Sequence, residues 1–438
     1  MSSIYDNRAY RARILHLVDD PARAGEGALQ YFEDGVLWVK DGKVHAVGAA
    51  DQLLPLPIDV TVREYPNHLI IPGFIDTHVH YPQTEMIGAY GEQLLSWLTT
   101  YTFPTEQRFC DAQYARKIAG LFIQELLRNG TTSALVFCTV HPQSVDALFG
   151  AAKEQGLCMI AGKVLMDRNA PPDLLDTPER AYAESKQLIQ RWHGVDRLRY
   201  AVTPRFAPTS SPEQLQVAGR LLKEFPGVYL HTHLAENIDE VEWVRQLFPD
   251  ALHYLDVYDR AGLLGRRSVF AHGVHLCDAE CERLGETGSA IAHCPTSNLF
   301  LGSGLLNLQQ LQQFGVRIGL GTDVGAGTSF SLFRTMAEAY KIQQLRGHAL
   351  DPLQAFYQAT LGAADALDLA DRIGNLAQGK DADFVILDLD ATPLLTFRLP
   401  LCRNPRDLLF VLNTLGDDRL VQATYAAGKC VHRRGGHG

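Results

Sequence analysis

The chain has 438 residues, 46% of them hydrophobic, with 40 Lys and Arg against 50 Asp and Glu for a net charge of −10. That is long and apolar enough for one large core and a smaller companion domain. The acidic balance and the lack of any basic run argue against nucleic acid as a partner. No apolar run is long enough to span a bilayer, and the first residues lack a basic-then-apolar leader. Eight cysteines are scattered without a Cys-x-x-Cys pair, several in apolar runs, as expected of reduced thiols in a soluble cytoplasmic protein.

In chain order, residues 10–65 read as short strands. Residues 35–48 predict a hairpin turning at Asp41-Gly42, because both positions of such a turn need positive φ. Residues 70–80 read as one buried apolar strand with a Pro-Gly break, ending in His78-Val79-His80. Side chains at i and i+2 of a strand share a face, so two imidazoles stand side by side. The middle of the chain alternates strand-like runs (132–138, 157–165, 199–206, 228–233, 268–275, 290–294, 316–321) with helical stretches (112–128, 177–192, 212–225, 238–247). Eight such units predict a TIM-like (β/α)8 barrel, although an open doubly wound sheet fits the same alternation. Residues 383–388 and 420–429 return to short strands. Both chain ends therefore build one small β-sandwich domain, from 1–70 and 371–438, around a barrel at 71–370.

Polar residues crowd the predicted strand ends: His78 and His80, Arg205 and Phe206, His231 to Asn237, His272 and His275, and Asp323. The carboxyl edge is where barrels carry active sites, which favours the barrel. Burying so many ionisable groups without partners costs stability. A metal removes that cost, and three histidines with one aspartate around an ion holding water make a hydrolytic zinc arrangement. Structural alternatives exist for each residue. His231 and His275 read as local hydrogen-bonding residues once four ligand positions are filled. Phe206 reads equally as core, and Glu236 as a helix-start carboxylate.

The phrases Pro72-Gly73-Phe74-Ile75-Asp76-Thr77-His78-Val79-His80, His233-Leu234-Ala235-Glu236, His272 and Gly321-Thr322-Asp323 together resemble the amidohydrolase superfamily. Gly379-Lys380-Asp381-Ala382-Asp383-Phe384-Val385 is similar to its usual re-entry into the small domain. Gln83 after His80-Tyr81-Pro82, residues 97–104, residues 162–169, Arg205-Phe206 and residues 294–300 narrow the resemblance to the guanine deaminase family. The resemblance implies one zinc held by His78, His80, His233 and Asp323. It makes Glu236 the proton shuttle, His272 a polar partner, and Asp323 a proton acceptor as well as a ligand. Gln83, Arg205 and Phe206 become contacts to a purine base, with guanine hydrolysed to xanthine and ammonia. A homodimer follows from the same resemblance. Some relatives bridge two metals with a modified lysine, which makes Lys163 an alternative to watch. Competing readings are a deaminase for another purine, a pterin or a triazine, and a non-catalytic assembly protein. A small nucleic-acid deaminase would need His-x-Glu with Pro-Cys-x-x-Cys, which does not fit. The long connection 81–109, rich in aromatics, reads as a cover over the bound base.

Overall fold

The computed structural model describes residues 7–91 and 93–435. Its N-terminal strands are β1 (Arg8–Leu17), β2 (Leu29–Lys40), β3 (Lys43–Ala49) and β4 (Thr61–Pro72). The β2–β3 hairpin turns at Asp41 (φ 52°) and Gly42 (φ 75°), the two-residue positive-φ turn that Asp-Gly supports. The barrel strands follow as β5 (Phe74–His80), β6 (Thr131–Phe137), β7 (Cys158–Gly162) with its short continuation β8 (Val164–Leu165), β9 (Arg199–Pro204), β10 (Tyr229–Leu234), β11 (Ser268–His272), β12 (Ala290–His293) and β13 (Arg317–Leu320). The chain then returns through β14 (Phe384–Asp388), β15 (Val421–Ala426) and β16 (Lys429–Arg433).

Neighbouring barrel strands are parallel, in the order β5-β6-β7-β9-β10-β11-β12-β13. The ring closes beside the site: Asp323 N donates to His78 O at 2.9 Å and His80 N to Val324 O at 2.8 Å. This settles the choice between barrel and open sheet. Ile75, Leu135, Ile160, Ala201, Tyr229 and Val269 fill the lower interior, plugged by Ala363, Ala364 and Leu367. Outside, the helix Ala112–Arg128 shows why the helices form. Asp111 caps it by accepting from Gln113 N at 2.8 Å. Ala115, Ile118, Ala119, Phe122, Ile123, Leu126 and Leu127 make one buried stripe at helical spacing. Each large apolar side chain in that stripe contributes about 1.5–3 kcal/mol by burial.

The two chain ends share a seven-stranded sheet, β16-β15-β14-β4-β1-β2-β3, antiparallel except where β1 meets β4. It rolls over a core of Tyr10, Leu37, Ile70, Phe384 and Tyr425. Its far edge comes back to the strand connection, where Val44 N donates to Lys380 O and Ala382 N to Gly42 O, both at 2.9 Å. One expectation is corrected. Residues 70–80 are not one strand: Ile70, Ile71 and Pro72 pair with β14, whereas Phe74–His80 pairs with β6. Gly73 makes the crossing between sheets, and a Cβ there would lie 2.2 Å from Thr132 Oγ1. The cover is also more ordered than a long connection. It contains Leu94–Trp97, a π-helical turn at Leu98–Thr102 and the helix Phe103–Gln107. Pro104 has no N–H to donate, which suits a break in the regular ladder just before it.

Small domain and barrel are joined by a buried ion pair. Arg197, just before β9, donates to Asp383 Oδ1 at 3.0 Å and approaches Asp381 Oδ2 at 3.2 Å. Asp383 also accepts from Ala427 N at 2.8 Å, and its own carbonyl accepts from Gly73 N at 2.9 Å. Removing Asp383 leaves buried Arg197 only the carboxylate of Asp381, 3.2 Å from its Nε, and leaves the other guanidinium donors without that of Asp383. Asp383→Ala should therefore cost about 1–3 kcal/mol of stability in chemical denaturation. A loss below about 1 kcal/mol shows that water reaches Arg197 and the pair is not a structural tie.

Candidate active site

His78 and His80 leave the same face of β5. Close approach of the last barrel strand permits this, because a Cβ on Gly321 would lie 2.9 Å from His78 Cβ. Asp76 fastens the two strands from below, its Oδ1 accepting from Thr322 N at 3.0 Å and His78 N at 3.2 Å. β10 supplies His231 and His233, and β11 supplies His272. Two of the converging residues hold left-handed backbone, His272 (φ 74°) and Asp323 (φ 50°). Non-glycine residues rarely adopt it, and here it turns their side chains toward one point.

At that point His80 Nε2 lies 3.2 Å from both His78 Nε2 and His233 Nε2. Asp323 Oδ1 lies 3.2 Å from His78 Nε2 and 3.3 Å from His80 Nε2. A tetrahedral ion with donors at about 2.0–2.1 Å has edges of about 3.3–3.4 Å. The donor set fits such an ion. Burial supports neutral imidazoles as ligands: it lowers the His80 pKa to about 4 and that of His233 well below its ordinary value. Cys294 also comes within ligand range of His78, His272 and Asp323. Its Sγ–H donates to Ala292 O at 3.4 Å, however, and burial pushes the thiol up, so it stays neutral.

The far nitrogens of the ligands are tied as well. His233 Nδ1 is 2.7 Å from Arg205 O, so its proton points there and Nε2 is left for the ion. His78 Nδ1 is 2.7 Å from His231 Nε2. His231, set aside above as a local hydrogen-bonding residue, thus backs a ligand directly. His275 keeps that local role, its Nε2 lying 2.8 Å from Ser303 O. Lys163 faces a separate cluster, paired with Asp176 and with Glu184 at 3.3 Å, which leaves no reason for a second ion there.

Two carboxylates beside the ion point are driven apart. Burial opposes ionisation of Asp323, but His78, His80 and His272 outweigh it and hold its carboxyl well below the usual range. Burial and then the charge of Asp323 push Glu236 well above it. Such a split marks a base and an acid in one pocket. Glu236 Oε1 accepts from Ser303 Oγ at 3.3 Å, and its Oε2 lies 3.4 Å from His272 Nε2. Asn298 Nδ2 stands 3.0 Å from His272 Nδ1, which places the ring proton on Nε2, toward the two carboxylates. The sequence offered no role for Asn298; its signal was only the phrase that contains it.

Gln83, Arg205 and Phe206 line the same cavity, with Leu94, Trp97, Leu98, Leu301 and Ala326. The cavity has an empty volume of ≈ 390 Å³, part of it open to solvent, and the cover residues Leu94, Trp97 and Leu98 form one of its walls. One residue the sequence reading missed is Glu106, fully buried on the cover helix, whose Oε2 accepts from Arg205 Nη1 at 2.7 Å.

His231 carries the sharpest test of the ion site. Removing the group behind a ligand typically weakens metal binding by about 10–100-fold, so His231→Leu should lose metal to a competing chelator at correspondingly lower concentration. Equal retention by variant and parent removes His231 from the site.

The Amidohydrolase family profile matches residues 69–431. Guanine deaminase of Escherichia coli (strain K12) is 54% identical over 438 residues, covering 99% of this chain and 100% of that protein. The solved E. coli guanine deaminase superposes with a TM-score of 0.95 over 98% of this chain and 100% of that chain. A Clostridium guanine deaminase (C. acetobutylicum), solved with guanine bound in its active site, is 28% identical with a TM-score of 0.88, covering 98% and 100%. An adenosine deaminase of Xanthomonas campestris, solved with bound zinc, is 25% identical with a TM-score of 0.84, covering 97% and 92%. With this site, this fold and these relatives, the chain belongs to the amidohydrolase family and, within it, to the guanine deaminases.

Proposed function

We propose that His78, His80, His233 and Asp323 hold one zinc ion and that the chain hydrolyses free guanine at C2, giving xanthine and ammonia. One juxtaposition carries the reading: His80 lies 3.2 Å from His78 and His233, Asp323 lies 3.2–3.3 Å from His78 and His80, and all share a pocket with a guanidinium and an amide suited to a purine edge. Zinc, when bound, supplies a water acidified to a pKa of about 7.

The protein's own groups do the rest. Arg205 donates to the guanine O6, and Gln83, its amide held by Glu106 and Gly325, contacts the same edge. Phe206 lies against the base while Trp97 and Leu98 cover it and exclude bulk water. As the water oxygen bonds to C2, the free oxygen of Asp323 takes its proton. Glu236, neutral in this surrounding, protonates N3. The proton on Asp323 then reaches the departing amino group. Glu236 takes back the hydroxyl proton as the C2–N bond breaks and the carbonyl forms. His272 Nε2, 3.8 Å from Asp323 Oδ2 and beside Glu236, steadies both carboxylates through these transfers. Adenine bound the same way would set an amino donor against Arg205 and present only hydrogen at C2.

In this reading the catalytic barrel runs from β5 to about residue 370, and the small domain is a rolled sheet from residues 1–72 and 371–438, of which residues 1–6 and 436–438 lie outside the described structure. Among the described residues no helix is long and apolar enough to cross a membrane. Eight unpaired cysteines support a reducing, cytoplasmic setting. The family resemblance adds a homodimer, which sedimentation of the purified protein tests.

Assay of ammonia and xanthine from a panel of free purines tests the activity, with elemental analysis expected to give one zinc per chain. Glu236→Gln should keep the metal and lose about 10²–10⁴-fold in rate. A variant that retains zinc and deaminates guanine at parental speed moves the proton transfer to another residue.

A further inference from the structure

Glu106 is the one carboxylate that the cover helix Phe103–Gln107 sends into the interior, with no exposed surface. Its two oxygens are used on two different elements of the barrel. Oε2 accepts from Arg205 Nη1 at 2.7 Å, at the end of β9. Oε1 accepts from Gln83 Nε2 at 3.2 Å, in the turn after β5. The second contact helps to set which way the Gln83 amide faces, together with His80 Nδ1, which lies 3.1 Å from the same Nε2. With Nε2 held toward the carboxylate, Oε1 is turned to Gly325 N, which donates to it at 3.3 Å. Arg205 is nearly as buried, and the ring of Phe103, from the same cover helix, lies 5.6 Å beneath its guanidinium. Glu106 itself does not border the cavity, whereas Gln83 and Arg205 both do.

We propose that Glu106 is a positioning residue for purine recognition: one carboxylate from the cover fixes both Arg205 and Gln83, so that closing the cover and assembling the recognition edge are one event. The proposal rests on reading this pocket as the guanine site and deepens it. The physical reasoning is direct. A guanidinium has a fixed fork of donors and loses specificity when its plane rotates. An amide has a donor end and an acceptor end and must be told which faces the ligand. A carboxylate with two oxygens can orient both groups at once, and charge-assisted bonds of this type are about twice as strong as neutral ones. Leu94, Trp97 and Leu98 of the cover line the pocket beside Arg205 and Gln83, so guanine enters against the cover. Displacing it withdraws Glu106 from both partners. The recognition edge is then loose in the open state and set only when the cover returns over a bound base.

A double-mutant cycle on the zinc-loaded full chain tests this, with KM and kcat for guanine measured separately. If Glu106 acts through Arg205, Glu106→Ala lowers kcat/KM by about 100-fold in the parent, mostly through KM, but by less than about 3-fold in the Arg205→Ala background. Glu106→Gln, which keeps the shape and one acceptor oxygen, should recover part of the loss. Zinc content should be unchanged in every variant. Two outcomes overturn the proposal: equal losses in both backgrounds, which make the effect one of general folding, or an unchanged KM in Glu106→Ala. A parent chain that does not deaminate guanine at all refutes the reading of the pocket instead. That result is recognisable before any variant is made.

Discussion

The structure is organised by an electrostatic problem that the protein alone does not solve. In the interior of a barrel His80 Nε2 stands 3.2 Å from His78 and His233 Nε2, and Asp323 Oδ1 stands 3.2–3.3 Å from His78 and His80. Neutral histidines so placed have lone pairs facing lone pairs, and the nearby carboxylates gain nothing from water. Polar groups buried without partners are expensive, and only a cation at the common centre turns all four into satisfied donors of electron pairs. A metal held there would be as much a structural component as a chemical one.

Holding that geometry explains several features elsewhere in the chain. The ends of β5 and β13 must approach closely, and glycine at 321 leaves the space. Asp76 bridges the two strands at the level just below the ligands. The left-handed backbone at His272 and Asp323 costs of order 1–3 kcal/mol at each position. Neighbouring backbone bonds hold both: Gly273 N donates to Leu234 O at 2.8 Å and Asp323 N to His78 O at 2.9 Å. The small domain contributes from outside, clamping Gly73 through Asp383 and so fixing where β5 begins. Local strain at the rim is thus supported by packing in two domains.

How much of this could be read from the sequence follows from the range of each interaction. Periodicity is local, so the helices 112–128 and 238–247 and the Asp41-Gly42 turn were legible directly. Barrel closure was not: alternation of strand and helix is the same for an open sheet, and only the bonds between His78 and Asp323 distinguish them. The convergence of His78, His80, His233 and Asp323 was legible because their residue types are costly to bury without partners. The partner of His231 was not legible, because counting candidate ligands says nothing about what stands behind them. Its partner is 153 residues away in sequence, and only the barrel brings them to 2.7 Å. The Pro-Gly break was legible but the change of sheet at Gly73 was not, because an apolar run carries no mark of which sheet it joins.

Glu106 was invisible for a further reason. A lone glutamate in an aromatic, helix-forming phrase reads as a solvated face, and nothing in the phrase says that it turns inward. Its burial makes sense only with Arg205 in place, since each charge supplies the other's compensation at 2.7 Å. The pocket therefore contains two charge systems that differ in kind. At the ion point, Asp323 and Glu236 are pushed to opposite protonation states so that protons can move. At the recognition edge, Arg205 and Glu106 are paired so that a neutral base meets directed donors without facing an uncompensated charge. Separating mobile protons from fixed hydrogen bonds in this way lets one small cavity hold its substrate rigidly while the chemistry beside it rearranges.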